Sequence, residues 1–265
     1  MPVFGIGTWR MGESPRRRGQ ELDAVRYALD IGYPMIDTAE MYGDGGAEEI
    51  VGEAIRDRRT RPFIVSKVYP HNASLSGTVA ACERSLKRMG IERIDLYLLH
   101  WRGGSRLEDT FTAFHKLKAA GKIGDFGVSN FDTDDMEDAA EVDKGQNGSN
   151  QILYCLSRRG PEFDLIPWMK KRAIPLMAYS PLDQGGLLGK APLKKLAADV
   201  GCAPAQLALA WLLAQPGVVT IPKSSTRERV KENFGALDVK LSPDVMAALD
   251  KAFPSPRSKQ SLQML

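Results

Sequence analysis

The 265-residue chain has few cysteines, no long apolar run and almost no excess of charge of one sign. Its three cysteines, Cys82, Cys155 and Cys202, are far apart and form no C-x-x-C pair. Their odd number and wide spacing exclude a disulfide framework and a cysteine-based zinc site, and favour a reducing compartment. The 36 Lys and Arg residues against 33 Asp and Glu leave a formal charge of +3, too small to predict a nucleic-acid partner.

No membrane segment or secretion signal is visible. The most apolar stretch, residues 208–214, is far shorter than the ~20 residues that cross a bilayer. The first five residues lack the charged, apolar and small-residue order of a signal peptide. The composition, 43% hydrophobic and 26% charged, excludes disordered, collagen-like and coiled-coil chains. We therefore expect a cytoplasmic globular protein with no membrane partner.

Short apolar runs rich in β-branched residues recur at near-regular intervals. They are Val3–Thr8, Pro34–Thr38, Phe63–Lys67, Ile94–His100, Gly124–Ser129, Asn150–Tyr154, Ile174–Ser180 and Val218–Ile221. Helical patterns lie between them, and uninterrupted apolar strands alternating with helices indicate a parallel sheet covered by helices. Eight such units match a (β/α)8 TIM barrel of ~250 residues, so we predict an α/β protein with one domain, residues 1–265.

A doubly wound sheet is the alternative α/β fold. It would need a G-x-G-x-x-G turn after its first strand, and Gly5-Ile6-Gly7 lacks the third glycine. The longest gap between predicted strands holds two helical stretches, Pro192–Val200 and Pro204–Gln215, of which one must be extra to the eightfold plan. With the final helix, the barrel is expected to carry two auxiliary helices. A last helix begins at Pro243 with Ser242 as N-cap. The final residues, rich in Ser, Pro, Lys and Gln, predict a loose tail.

Every predicted strand closes on a polar or amphipathic residue. In chain order these are Trp9, Asp37, Lys67, His100, Ser129 and Asn130, Gln151, Ser180, and Lys223. Active sites of such barrels lie at the carboxyl ends of the strands. An apolar barrel interior has no structural need for Asp, Lys and His at its rim, so the set indicates a functional site.

These residues suggest a proton donor aimed at a carbonyl group. Asp37 and Lys67, on neighbouring strands, can pair. A lysine charge favours phenolate, so we expect it to lower the pKa of Tyr42, which lies five residues past Asp37. His100 would then orient a carbonyl oxygen. The sequence contains neither a nucleophile elbow nor a metal cluster, and no metal is predicted.

At these residues the sequence resembles the aldo/keto reductase family, in particular its bacterial members that reduce small aldehydes and α-ketoaldehydes. The segments that carry the resemblance are Ile36–Tyr42, Val65–Lys67, Leu98–Trp101, Gly127–Phe131, Ala178–Leu182, and Ile221–Ser224 followed by Arg229 and Glu232-Asn233. They stand in the family's order and cover nearly the whole chain.

The resemblance implies a role for each matched residue. Tyr42 would be the general acid, with Asp37 and Lys67 lowering its pKa and His100 positioning the carbonyl. Trp9 and Trp101 would line the substrate pocket. The residues implied to bind NADPH are Thr8, Trp9, Asp37, Ser129, Asn130, Gln151, Tyr179, Ser180, Leu182, Ile221, Lys223, Ser224, Arg229, Glu232 and Asn233.

Within that set, Ser129, Asn130 and Gln151 would bind the nicotinamide carboxamide, and Tyr179 would stack on the ring. Lys223 and Arg229 bracket the start of a predicted helix, where free N–H groups favour an anion. An Arg fork beside a Lys suits a phosphate better than a ribose hydroxyl, so NADPH is predicted over NADH.

Three departures from the family pattern affect the expected shape of the site. Met1 stands almost at the first strand, so the N-terminal hairpin that plugs the barrel is absent or truncated. The Tyr42–Glu48 loop is longer and richer in glycine than usual. The loop at residues 101–106 and the tail after Phe253 are short, which predicts an open pocket for small aldehydes such as methylglyoxal.

Two other functions remain open. A non-catalytic NADPH-binding or sensing subunit could keep the same fold, although the complete Asp-Tyr-Lys-His set argues against it. A Schiff-base aldolase could use Lys67 as its nucleophile, but this would not explain Tyr179 or the segment from Ile221 to Asn233. For the reductase we expect a small-molecule carbonyl substrate and a monomer.

Overall fold

The computed structural model describes all 265 residues and contains eight parallel strands in one sheet. The strands are β1 (Ile6–Gly7), β2 (Met35–Asp37), β3 (Phe63–Val68), β4 (Ile94–Leu99), β5 (Ile123–Ser129), β6 (Asn150–Leu153), β7 (Leu176–Tyr179) and β8 (Val218–Thr220). Each pairs with the next along the chain. Bridges from Phe4 to Thr220 and from Gly7 to Lys223 join the first strand to the last. The predicted (β/α)8 barrel is confirmed.

Ten α-helices surround the sheet. They are α1 (Pro15–Asp30), α2 (Gly46–Ile55), α3 (Leu75–Met89), α4 (Leu107–Ala119), α5 (Thr133–Asp143), α6 (Leu165–Lys171), α7 (Ala191–Val200), α8 (Pro204–Leu213), α9 (Arg227–Phe234) and α10 (Pro243–Ala252). Two α-helices, α7 and α8, lie between β7 and β8, and two more, α9 and α10, follow β8, which gives the two helices beyond the eightfold plan that the sequence predicts. No strand precedes β1.

Side-chain caps mark several helix starts. The Oγ of Ser242 accepts a hydrogen bond from the backbone N–H of Val245 (3.3 Å), with Pro243 in the first turn, as predicted. Ser74 caps α3 in the same way. Such caps satisfy backbone donors that the first helical turn leaves free.

A small apolar cluster fills the barrel beneath its polar rim. Its members are Met35, Val65, Leu96, Leu98, Met177, Val219 and Ile221, all buried. Side chains alternate across a strand, so Met35 points to the same side as Asp37, and Val65 to the same side as Lys67. The strand period therefore places the charged pair directly above an apolar floor, in a site shielded from water on that side.

The C-terminal tail differs from its prediction. Residues 254–265 form no helix or strand, but isolated contacts tie them to the barrel. These contacts are Ser255 to Glu162, Lys259 to Asp134, and Arg158 to Gln263. Met264 and Leu265 then reach the central cavity. The prediction of a loose tail is wrong, because composition shows that a segment lacks periodic structure but not that dispersed partners anchor it.

No single helix is long and apolar enough to cross a membrane. Helices α7 and α8 taken together are long and apolar enough, but they are bent by 84° at their junction. Most of α8 is buried in the core.

All three cysteines are unpaired, with Cys82 and Cys155 buried and Cys202 half-buried.

Candidate active site

A cavity of about 210 Å³ opens at the carboxyl ends of the strands. The predicted residues that line it are Trp9, Asp37, Tyr42, His100, Trp101, Ser129, Asn130, Gln151, Tyr179, Ser180, Ile221 and Lys223. Lys67 lies just beneath, fully buried. No group of three or more His, Cys, Asp or Glu side chains is arranged to hold a metal ion. The structure thus brings the predicted catalytic residues into one place.

Lys67 is the centre of this cluster. Its Nζ lies 2.9 Å from each carboxylate oxygen of Asp37 and 2.9 Å from the backbone oxygen of Thr38. The Oη of Tyr42 is 3.3 Å away. Burial lowers the pKa of Lys67, while the charge of Asp37 opposes this. The ammonium group can donate three hydrogen bonds, and three neighbouring residues provide acceptors for them.

Tyr42 begins a short 3-10 turn in the connection that follows β2, with its ring against Lys67. The lysine Nζ is 4.9 Å from the ring centroid. Burial raises the pKa of Tyr42 well above its ordinary value, and the charge of Asp37 raises it further. The predicted lowering of this pKa is therefore wrong. Both carboxylate oxygens of Asp37 accept hydrogen bonds from Lys67 and compensate its charge. The phenol of Tyr42 therefore lies beside an almost neutral ion pair and keeps its proton.

His100 faces Tyr42 across the cavity. The two ring centroids are 5.6 Å apart, edge to face. Burial and the nearby charge of Lys67 lower the pKa of His100 well below its ordinary value. The imidazole is consequently neutral and has one N–H to donate. Its buried Nδ1 has no hydrogen-bond partner in the protein.

Polar side chains from β5 and β6 link this cluster to the rest of the rim. Gln151 donates from Nε2 to Oδ1 of Asp37 (2.7 Å), so the amide orientation is fixed by the charged pair. Ser129 donates to the backbone oxygen of Gln151 (2.8 Å). Thr8 is fully buried outside the cavity, and its hydroxyl donates to the backbone oxygen of Asp37 (3.0 Å).

Asn130 connects three elements of the rim. Its backbone is left-handed (φ 59°), an uncommon conformation for a residue other than glycine. Its Nδ2 donates to the backbone oxygen of His100 (3.1 Å), and its Oδ1 accepts a hydrogen bond from the hydroxyl of Tyr179 (2.8 Å). The strained backbone is thus held by contacts on both sides, and the Tyr179 ring is fixed at the cavity wall.

The predicted phosphate end lies around the start of α9. Lys223 lines the cavity, and its Nζ donates to the hydroxyl of Ser225 (2.7 Å). Arg229 is exposed in the first turn of the helix, where its backbone N–H donates to the capping hydroxyl of Thr226 (3.4 Å). The other predicted residues outside the cavity are Leu182, Ser224, Glu232 and Asn233, of which Ser224 and Asn233 are buried.

Four cavity residues were not predicted from the sequence: Gly7, Met41, Met264 and Leu265. A Cβ at Gly7 would lie 3.0 Å from the backbone oxygen of Ile221, so glycine allows β1 to approach the chain after β8. Met41 precedes Tyr42 directly, and that adjacency could have identified it. Nothing in the sequence indicates that the tail returns to the site.

Comparisons with known proteins agree on the family. Residues 3–253 match the model of the aldo/keto reductase family. The chain is 45% identical to methylglyoxal reductase YeaE of Escherichia coli, covering 100% of this chain and 95% of that protein. It is 36% identical to glyoxal reductase of Bacillus subtilis, covering 94% and 88% respectively.

The solved structures that resemble it include an aldo-keto reductase from Klebsiella pneumoniae in complex with NADPH. The TM-score is 0.96 at 46% identity, covering 100% of this chain and 95% of that one. A second Klebsiella pneumoniae structure, with NADP and acetate, has a TM-score of 0.97 at 46% identity, covering 100% and 96%. The chain therefore belongs to the aldo/keto reductase family.

Proposed function

We propose that this protein reduces the carbonyl group of small aldehydes and ketoaldehydes to an alcohol, with NADPH as reductant. The observation that carries the proposal is the Tyr42 hydroxyl, 3.3 Å from the buried Lys67 ammonium and facing the cavity beside His100. The names of similar proteins support it, since one relative is a methylglyoxal reductase, another a glyoxal reductase, and a similar structure contains NADPH.

Tyr42 is the general acid in this proposal. NADPH, when bound, supplies the hydride. As negative charge develops on the carbonyl oxygen, Tyr42 donates its proton to that oxygen, and the neutral His100 donates a hydrogen bond that holds the oxygen in place. The Lys67 ammonium stabilises the phenolate that remains. Asp37 keeps Lys67 in position and balances its charge before the reaction.

The residues present fit a nicotinamide dinucleotide. At one end, the half-buried Tyr179 ring and the amides of Asn130 and Gln151 line the cavity. Gln151 uses its Nε2 on Asp37, which leaves its amide oxygen available to accept a hydrogen bond from the carboxamide. At the other end, Lys223 and Arg229 supply cations beside the α9 N-terminus, which favours the extra phosphate of NADPH.

The cavity favours a small, uncharged substrate. Its lining includes the apolar side chains of Trp9, Met41, Trp101 and Met264. At about 210 Å³ it is smaller than the ~300–1,000 Å³ typical of sites for drug-sized ligands. A two- or three-carbon ketoaldehyde of the methylglyoxal type satisfies both conditions.

The same geometry disfavours the two alternatives. A Schiff-base aldolase needs a lysine with a free lone pair, whereas Lys67 is paired with Asp37 and surrounded by acceptors. A non-catalytic sensing subunit would not require the proton donor to be assembled. All elements share one barrel, which supports a single domain over residues 1–265. Unpaired cysteines and the use of NADPH support a cytoplasmic location.

The test is NADPH oxidation by the purified protein with a panel of methylglyoxal, glyoxal, benzaldehyde, short ketones and aldoses, with alcohol products identified by mass spectrometry. We expect kcat/KM to be highest for the small aldehydes, and NADPH to bind more tightly than NADH. NADPH binding without turnover of any substrate would contradict the proposal and favour the sensing subunit. Borohydride trapping of a substrate on Lys67 would favour the aldolase.

A further inference from the structure

The loop that carries Tyr42 is rich in glycine and has an unusual backbone. Gly43 (φ 58°), Asp44 (φ 51°) and Gly45 (φ 89°) are consecutive left-handed residues. Glycine has more conformational freedom than any other residue, so this loop does not fix Tyr42 by its own stiffness. The 3.3 Å separation of Tyr42 Oη and Lys67 Nζ must therefore be maintained from outside the loop.

One side of the loop rests on the segment after β1. A Cβ on Gly43 would lie 2.7 Å from the backbone oxygen of Met11, and one on Gly46 would lie 2.8 Å from that of Gly12. The backbone N–H of Gly12 donates to Oε2 of Glu21 (2.9 Å), whose side chain is fully buried on α1. The two backbones are in direct contact, with no space for side chains between them.

The other side of the loop is covered by Arg88 from α3. A Cβ on Gly45 would overlap the guanidinium group of Arg88. Nη1 of Arg88 donates to Oε2 of Glu48 (2.8 Å). The other oxygen of Glu48, Oε1, accepts a hydrogen bond from the hydroxyl of Ser66 (2.7 Å). Both carboxylate oxygens of Glu48 are therefore in use, and its side chain is fully buried.

This network connects the proposed proton donor, Tyr42, with its partner Lys67. Ser66 precedes Lys67 on β3, while Glu48 lies in the first turn of α2, directly after the Tyr42 loop. One carboxylate thus bonds the strand that carries Lys67 and also orients the arginine that packs on the loop. Burying a carboxylate costs free energy, and an apolar side chain of similar volume would not carry this cost. A role in positioning other residues therefore explains a buried Glu48 better than a contribution to folding stability does.

We propose that Glu48 is a positioning residue which, through Ser66 and Arg88, sets the distance between the Tyr42 hydroxyl and the Lys67 ammonium. The inference rests on the proposed function, because it concerns the placement of the proposed proton donor. Glu48 lies outside the cavity and touches neither substrate nor cofactor in this account. A displacement of about 1 Å at a reacting group can lower a rate by about 100-fold, so loss of the network should reduce kcat.

The experiment compares Glu48→Gln, Ser66→Ala and Arg88→Met with a matched control, Asp95→Asn. Asp95 is a buried carboxylate that bonds β3 at its opposite end, accepting from the backbone N–H of Ile64 (2.8 Å) and from Arg61 (2.8 Å). For each variant, kcat and KM for an accepted aldehyde, the NADPH Kd, the Tm, and hydrogen exchange of the peptide covering Tyr42–Gly46 are measured.

We expect Arg88→Met and Glu48→Gln to lower kcat about tenfold or more, with KM and the NADPH Kd unchanged, and to speed exchange in the Tyr42 peptide. Ser66→Ala removes one contact and should have a smaller effect in the same direction. Asp95→Asn should lower the Tm and leave kcat and that peptide unchanged. If Glu48→Gln or Arg88→Met fails to fold, the milder Ser66→Ala decides the question.

Wild-type kcat and exchange in the folded variants would overturn the proposal. The proposal would also be overturned if Asp95→Asn lost as much kcat as the network variants for the same decrease in Tm. The exchange measurement needs no turnover, so it tests the network even if the wild-type protein reduces no aldehyde, a result that would contradict the proposed function instead.

Discussion

The two ends of the proposed NADPH site are built in opposite ways. At the catalytic end, Asp37 and Lys67 are buried and bonded to each other. At the phosphate end, Arg229 is exposed and its side chain has no ion-pair partner, while Lys223 is bonded only to a serine hydroxyl. The catalytic end is assembled before any ligand arrives, and the phosphate end keeps two cations free of ion pairs, with Arg229 exposed and Lys223 half-buried.

This difference follows from what each end must do. A proton donor needs a fixed distance and a low dielectric, and charges buried for that purpose must compensate each other inside the protein. A phosphate arrives with its own charge, so its partners gain most if they are unpaired beforehand. Substitutions at the catalytic end should therefore change the rate, and substitutions at the phosphate end should change cofactor affinity.

The largest effect is expected for Tyr42→Phe. The variant loses the proton donor but keeps the ring, so kcat for an aldehyde should fall by about 100- to 10,000-fold, the usual contribution of a general acid. NADPH affinity, measured by fluorescence titration, should be unchanged because the hydroxyl is not assigned to the cofactor. A kcat near that of the wild type would place the acid elsewhere.

Lys67→Met should have the next largest effect, and it should lower both the folding stability and the catalytic rate. It leaves Asp37 buried without its partner, which typically destabilises a protein by about 3–5 kcal/mol. The double variant Lys67→Met, Asp37→Leu removes both charges and should recover much of that stability but none of the activity. Urea unfolding curves of the single and double variants test this. A double variant no more stable than the single one would contradict the description of the pair.

Arg229→Ala should act on affinity. Loss of one charge-assisted hydrogen bond to a phosphate is worth about 1.5–3 kcal/mol, or roughly a tenfold or greater increase in the NADPH Kd. The Kd for NADH and kcat at saturating NADPH should change little. Arg227→Ala is the control, because Arg227 lies on the same helix but is paired with Asp23. Equal losses of affinity in both variants would argue for a general effect of surface charge.

The smallest effect concerns pH. The pKa of buried His100 is lowered in the folded protein, so the unfolded chain binds a proton below about pH 6.5 while the folded chain does not. Stability should therefore fall as the pH drops below about 6.5, by up to about 1.4 kcal/mol per pH unit from this residue. His100→Gln should flatten that part of the dependence. The same slope in both proteins would assign it to other groups.

The sequence predicts the positions of the site residues better than their electrostatic properties. Strand periodicity and polar strand ends identified Asp37, Lys67 and His100, because a barrel brings those ends together. The pKa of Tyr42 could not be predicted, since it depends on how the charge of Lys67 is shared with the two oxygens of Asp37. The separation of Asp37, Tyr42 and Lys67 along the sequence does not give the distances between their side-chain atoms.

Two other features were beyond the sequence for related reasons. Met264 and Leu265 reach the cavity because single contacts to distant residues anchor the tail, and such contacts leave no periodic pattern. Glu48 and Glu49 are adjacent acidic residues in the first turn of α2, yet only Glu48 is buried. Its contacts with Ser66 and Arg88 depend on how α2, α3 and β3 pack.

The most direct test of the difference between the catalytic end and the phosphate end uses the variants Tyr42→Phe and Arg229→Ala. Two quantities are measured on the same preparation of each: the NADPH Kd, and the single-turnover rate of hydride transfer to methylglyoxal at saturating cofactor. We expect Tyr42→Phe to keep the wild-type Kd and to lose at least about 100-fold in rate, and Arg229→Ala to keep the rate and lose affinity. A Tyr42→Phe protein that transfers hydride at the wild-type rate would contradict this expectation.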